Sequence, residues 1–469
     1  MYYDDFLYAA KTREIVLSEE PLFKQMFLLL QGALSSSLEN WQNWSGCYTS
    51  YFFSALAPCI WGDEYVFLNI FILLGAFIIA NCISFRWIAI DILKLPVEQA
   101  WIMFLSALFI SVQFVPSTAE AYYWFNGSFY HIVGYSMGLL LFSVLLKVLF
   151  CDKKMHYKRY GALAGTMAIL FAGTNYTMML LYMVVYAGVL LFLLIQRKRI
   201  EKARIWFVLI NILVFYTGTL VSILAPGNGK RQSVLGESQP ALSAILKALL
   251  SVGEFVRDNT NVLMILILSL TVPFIYVCAK QMKYAFRYPV FVTLLSYIAL
   301  AITFTPTLYT MDQLWPARTY NMYFFTYIVL LYLNVFYWCG WMSRRECLKA
   351  LDGQQLLLPV HYGQYAVMLV ILLIIFVPVE SVKDMGRNMA FGKAFISFRT
   401  GELQEYDRQI EERYALYNDP EVKDVIVPRL TVNPVIVSVL ENESLSEDPM
   451  NGVNQAVAEY FGKESVTSR

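Results

Sequence analysis

The chain has 469 residues, 58% hydrophobic and 16% aromatic but only 15% charged, with a formal net charge of +1 and a mean hydropathy of +0.52. A soluble domain carries roughly 25% charged residues, so this composition is that of an integral membrane protein, and its near-neutrality argues against a nucleic-acid partner. Seven scattered cysteines with no C-x-x-C pair, and only three histidines, argue against a zinc site or a disulfide framework.

The first stretch, Tyr2-Tyr3-Asp4-Asp5-Phe6-Leu7-Tyr8, is neither a basic n-region nor an apolar h-region, so no cleavable signal peptide is visible. Carboxylates at a membrane rim are usually solvated. Ringed by aromatics, the pair Asp4 and Asp5 can also act as general base or metal ligand. Neighbouring residues point in different directions, so one would react and the other orient. Residues 22–38 and 48–60 read as short apolar helices lying along the membrane surface, with Trp41, Trp44 and Trp61 at headgroup level.

Ten hydrophobic stretches follow, at 65–83, 100–116, 129–150, 160–173, 176–195, 205–224, 262–280, 290–308, 321–340 and 365–379. Crossing a bilayer takes about 17–25 residues, so the stretches 100–116, 160–173 and 365–379 need flanking residues or tilt. Basic clusters stand at Arg86/Lys94, Lys153/Lys154/Lys158/Arg159, Arg197/Lys198/Arg199/Lys202/Arg204, Lys280/Lys283/Arg287 and Arg344/Arg345/Lys349. Ten crossings put all five on one side, which the positive-inside rule makes cytoplasmic. Both termini then lie outside. External first residues without a signal require either that residues 22–60 insert as a re-entrant element or that a further helix precedes them; the second is the expectation.

The cores of the spans hold no Asp, Glu, Lys or Arg away from their ends, which weighs against a proton-coupled transporter. The polar groups collect on the outer loops. The first reads Glu120-Ala121-Tyr122-Tyr123-Trp124-Phe125-Asn126-Gly127-Ser128-Phe129-Tyr130-His131, an acid followed by aromatics that suit stacking on sugar C–H groups or, more plainly, an interfacial belt. The second opens Pro226-Gly227-Asn228-Gly229-Lys230-Arg231, where free backbone N–H groups and two cations suit a phosphate. The third carries Arg318, an isolated cation on the side where cations are scarce. Asn175, at a hairpin tip, reads as structural. The tail is charged, with a helix at Gly401–Tyr417, strand-like Val422–Val427 and Val435–Leu440, and a short helix at Asn454–Phe461.

The expected architecture is therefore an all-α polytopic membrane protein. Residues 1–64 form an extracytoplasmic Asp-Asp segment with interfacial helices, 65–380 the multi-span domain, and 381–469 a small extracytoplasmic α+β region. Taken together, Asp4-Asp5-Phe6, Glu120 to Tyr130 with Trp124 and Asn126-Gly127, Pro226-Gly227-Asn228 with Arg231, and Arg318 resemble the GT-C superfamily of membrane glycosyltransferases, in an uncharacterised bacterial branch. The resemblance covers most of residues 1–380. It implies a polyprenyl-phosphate-linked sugar donor and a glycan or lipid acceptor, joined at the outer face of the bacterial plasma membrane. By that resemblance Asp4 or Asp5 is the base, with Glu120 beside them. Lys230, Arg231 and Arg318 would hold the donor phosphate, and Tyr123, Trp124, Asn126, His131 and Asn228 the sugar or acceptor. Some members use a divalent metal, Mg or Mn, and the two carboxylates leave that open. A non-catalytic flippase or carrier, or a scaffold for envelope assembly, is the rival reading.

Overall fold

The computed structural model describes residues 1–151, 154–345, 358–438 and 445–469. In chain order, the helices preceding the first long span are α1 (Tyr3–Leu17), α2 (Leu22–Asn43) and α3 (Tyr48–Ser54). Then come α4 (Leu68–Phe85), α5 (Val97–Gln113), α6 (Phe125–Ser128), α7 (Gly134–Phe150), α8 (Lys154–Ala172), α9 (Tyr176–Gln196) and α10 (Lys202–Ile223). The second half holds α11 (Pro226–Leu235), α12 (Ala241–Asp258), α13 (Val262–Gln281), α14 (Pro289–Met311), α15 (Ala317–Met342) and α16 (Leu358–Phe376). The tail contributes α17 (Val379–Asn388), α18 (Ala390–Arg399), α19 (Glu402–Tyr417) and α20 (Gly452–Phe461).

Among the described residues, seven helices are long and apolar enough to cross a membrane: Asp63–Ile92, Phe125–Phe150, Tyr176–Gln196, Lys202–Ile223, Val262–Gln281, Pro289–Met311 and Ala317–Met342. Phe125–Phe150 joins α6 to α7 through a π turn at Phe129–Val133. Helix α5, with 17 residues, is the shorter apolar one. Helices α8 and α16 overlap the remaining expected stretches. The protein is thus membrane-embedded and helical, its helices packed as α8 on α7 and α10, α12 on α14, and α13 on α5 and α15.

One end of the bundle is closed by basic side chains that find partners. Arg204 donates to the carbonyls of Val148 and Leu149 at the C-terminus of α7 (3.3 and 3.1 Å). Arg344 spreads its guanidinium over the carbonyls of Lys280, Met282 and Tyr284, just beyond α13. Cations there satisfy carbonyls that the helix leaves unpaired and meet the negative end of its dipole. Lys147 meets Asp91 at 2.5 Å.

At the other end, α1 and the tail share a second apolar core. It contains Phe6, Ala9, Leu29, Ile60, Phe125, Phe129, Tyr417, Val425, Val457, Tyr460 and Val466. Phe6 meets Tyr460 edge-on at 5.3 Å, and the Tyr460 hydroxyl donates to the Cys59 carbonyl at 2.6 Å. The tail is therefore not cored by itself; it is built onto α1.

Four expectations are corrected. The apolar segment at 22–38 is the beginning of a longer helix, α2, because no proline or terminal glycine stops it before Trp44. Its exposed Phe23, Phe27, Leu30, Leu34 and Leu38 recur at helical spacing, as for a helix lying in an interface. The segment at 48–60 is the short α3 followed by a separate 3-10 turn at Pro58–Trp61. Residues 225–261, expected as loop, hold α11 and α12, with Pro226 at a first-turn position where its missing N–H costs nothing. Of Val435–Leu440, residues 435–437 form a turn and 439–440 lie outside the described residues. Strand β1 (Asp424–Val427) pairs in parallel with β2 (Ser465–Ser468) instead.

Candidate functional site

The site grows from the first turn of α1. Asp5 is its anchor: one carboxylate oxygen accepts from the Tyr2 backbone N–H and the other from the Asn126 N–H, each at 3.1 Å. Asn126 answers by donating its side-chain amide to the Asp4 carbonyl at 3.1 Å. This clamp fixes the α1 N-terminus against the start of α6. Asp5 is 1% exposed, and burial pushes its carboxyl up to about 6 although two N–H groups hold it.

Asp4 is left in a different position. Among the described residues no hydrogen bond or ion pair ends on its carboxylate. Its side chain is half-buried. Burial raises its pKa, and the charges of Arg318 and Arg231 oppose the rise. Two guanidiniums from separate elements therefore act on one unbonded carboxylate.

Arg318, in the first turn of α15, is held from below. Its Cζ lies 4.8 Å from the centroid of the Trp124 ring. Glu120 accepts from the Arg318 backbone N–H at 2.9 Å and stands 3.7 Å from its guanidinium. Burial raises the Glu120 carboxyl; Arg318 counters it. Trp124 is fully buried, and a Cβ on Gly127 would fall 2.3 Å from its ring, so only glycine lets the chain pass there.

Arg231, on α11, stands over Trp44 at 5.8 Å and makes no salt bridge among the described residues. Its Nε is buried with no hydrogen-bond partner. The loop beneath it is locked by Asn228, which accepts from the Tyr176 hydroxyl (2.6 Å) and Gly46 N–H (3.1 Å) and donates to the Ser222 and Ile223 carbonyls (both 2.9 Å). Close approach of Trp44 demands Gly227, where a Cβ would meet the Trp44 nitrogen at 2.4 Å.

Tyrosines complete the wall. Tyr8, one turn after Asp4, packs on Tyr51 at 5.6 Å, and Tyr51 on Tyr130 at 5.3 Å. Tyr8 and Tyr130 are hydrogen-bonded, and burial raises the Tyr8 hydroxyl well above its ordinary value, so it stays a donor. Tyr51 bonds Ser45 at 2.8 Å. Asn175 caps α9 and donates to the Tyr130 carbonyl at 2.7 Å, a structural role that also orients the cavity wall. His131 feels the same two arginines and carries a buried Nδ1 without a partner.

Of the residues anticipated, Asp4, Asp5, Glu120, Trp124, Asn126, His131, Arg231 and Arg318 come together. Lys230 does not: it reaches exposed Asn43 at 2.7 Å. Trp124 supports Arg318 and has no open face for a sugar. Asn228 has its amide fully engaged. Tyr123 is partly buried beside the group, its carbonyl accepting from Asn69 at 3.2 Å. Tyr8, Tyr51 and Tyr130 were not singled out from the sequence, although the i,i+4 spacing of Asp4 and Tyr8 was there to be read. For a divalent metal the donor set is poor. Both Asp5 oxygens are taken, and among the described residues no group of three His, Cys, Asp or Glu could hold an ion. Comparison with protein-family models, curated proteins and solved structures finds no match.

Proposed function

We propose that this chain is a membrane glycosyltransferase, moving a sugar from a polyprenyl-phosphate-linked donor to an envelope acceptor at the outer face of a bacterial plasma membrane. One observation carries the reading: the Asp4 carboxylate, with no hydrogen bond or ion pair among the described residues, lies near both Arg231 and Arg318, and one turn along the helix Tyr8 packs on Tyr51. A general base and a site for a leaving phosphate need these groups in this relation.

Asp4 takes the proton of an acceptor hydroxyl, and that oxygen bonds to the anomeric carbon from the face opposite the phosphate. The anomeric carbon–oxygen bond to phosphate breaks, and its electron pair stays on the phosphate oxygen. Arg231 and Arg318 meet the charge developing there. Inversion at the anomeric carbon follows from the single displacement. Asp5, with both oxygens occupied, holds the helix turn that aims Asp4. Glu120 and Trp124 position Arg318. No step is assigned to a metal; the two guanidiniums supply the positive charge.

The test is transfer from synthetic polyprenyl-phosphate sugars by the purified protein in lipid, wild type against Asp4→Asn. Turnover that disappears in the variant while donor binding persists supports the assignment. Equal turnover in both would remove Asp4 from the chemistry, and no turnover with any donor alongside unimpaired lipid binding would favour a carrier.

A further inference from the structure

A cavity lies between the first turn of α1 and the tail, with a volume of about 560 Å³. That is within the range of small-molecule sites, roughly 300–1,000 Å³. Its walls carry the rings of Tyr2, Tyr3, Tyr406 and Tyr414, together with Arg413 and Arg429, and among the described residues no carboxylate lines it. Arg413 donates Nε and Nη2 to the Pro428 carbonyl, at 3.1 and 2.6 Å, and has no carboxylate partner among the described residues. Among the described residues Arg429 is ion-paired with Glu447 alone, at 2.9 Å, both side chains more than half exposed. Such an exposed pair is worth little and yields readily to a ligand. One wall reaches the Asp4 group: Tyr2 lines the cavity and packs on Trp124, 5.5 Å away, beneath Arg318.

We propose that this cavity binds an acidic glycan, a sugar chain bearing carboxylate or phosphate groups, and that it holds the acceptor for the reaction above. The tyrosine rings offer faces to pyranose C–H groups, and Arg413 receives the acidic substituent as a charge-assisted donor from a half-buried site. Arg429 guards the mouth. Tyr2, whose ring lies 5.5 Å from that of Trp124, links the cavity to the element that carries Arg318. The acceptor role rests on the glycosyltransferase reading; the binding does not.

The experiment is titration calorimetry on the full chain in nanodiscs, with hexagalacturonate as the acidic probe and maltohexaose as the neutral one. Wild type is compared with Arg413→Gln and Arg429→Gln. The proposal expects hexagalacturonate to bind at least tenfold more tightly than maltohexaose. Arg413→Gln should weaken it tenfold or more and Arg429→Gln about threefold. Arg429→Gln changes an exposed side chain, so its result stands even if Arg413→Gln folds poorly. No binding by wild type, equal affinity for the two probes, or indifference to Arg429→Gln together with a well-folded Arg413→Gln would overturn the site. Binding as expected, with no transfer activity, would leave the site standing and remove its acceptor role.

Discussion

The two ends of the helical bundle treat charge in opposite ways. At one end Arg204, Arg344 and Lys147 are matched to carbonyls or to Asp91, and each closes a helix end or joins two elements. At the other, among the described residues, Asp4 has no bonded partner, Arg231 keeps a buried Nε unpaired, and His131, Asn126 and Trp124 each bury an unsatisfied polar atom. Buried polar groups without partners cost about 1–3 kcal/mol each, so a fold does not accumulate them without a use. The matched end holds the bundle together. The unmatched end is where the proposed reading places the substrate, with Arg231 and Arg318 toward its phosphate and Asp4 toward the acceptor hydroxyl.

Substitutions at the two ends should therefore separate activity from stability. The largest effect is expected from Asp4→Asn, which should lower transfer on the order of 10²–10⁴-fold, the usual worth of a general base, with the melting temperature unchanged. Arg231→Gln and Arg318→Gln should each cost about 10²–10³-fold in kcat, and a double variant would show whether they act on one group. Arg204→Gln and Arg344→Gln at the matched end should do the reverse, losing about 1–3 kcal/mol of stability by leaving buried carbonyls unpaired; thermal unfolding in detergent reads this directly.

A subtler contrast lies within the carboxylate pair. Asp5 has a folded-state pKa of about 6, above the unfolded 3.8. Between these values the folded state binds more protons, so stability falls as pH rises. The contribution of protonated Asp5 is complete below pH 3.8 and is lost as pH rises through about 6. Asp5→Asn should flatten that part of the stability–pH profile, and Asp4→Asn, by removing a neighbouring negative charge, should move the Asp5 inflection to lower pH. The smallest effect belongs to Lys230→Ala: with its ammonium on exposed Asn43, transfer should change less than about twofold, the exposed contact being worth little. A large loss would draw Lys230 into the site and weaken the contrast.

How much of this could be read from the residues differs by element. The long apolar helices were legible because a span must be a continuous apolar run. The meeting of Asp4, Glu120, Arg231 and Arg318 agrees with the single side on which the basic clusters lead one to expect their loops. Their individual roles did not. Successive helical residues point about 100° apart, so Asp4 and Asp5, or Lys230 and Arg231, take different surroundings that adjacency in sequence hides. The aromatic run at Tyr122–Phe125 could not say which ring would lie under Arg318; it is Trp124, held by the tight passage of Gly127. The β1–β2 pairing joins Asp424 to Ser465 in parallel across α20, a non-local choice that strand propensity at Val435 could not anticipate.

The central claim is that Arg231 and Arg318 await the phosphate of a lipid-linked sugar beside Asp4. It is tested most directly by mass spectrometry of the lipids retained by the purified protein, wild type against the Arg231→Gln/Arg318→Gln double variant, each after incubation with a mixture of polyprenyl-phosphate sugars. The account predicts a polyprenyl-phosphate sugar held by wild type and lost from the double variant. Bulk phospholipid alone in both samples, or equal retention of the sugar lipid by both, would contradict it.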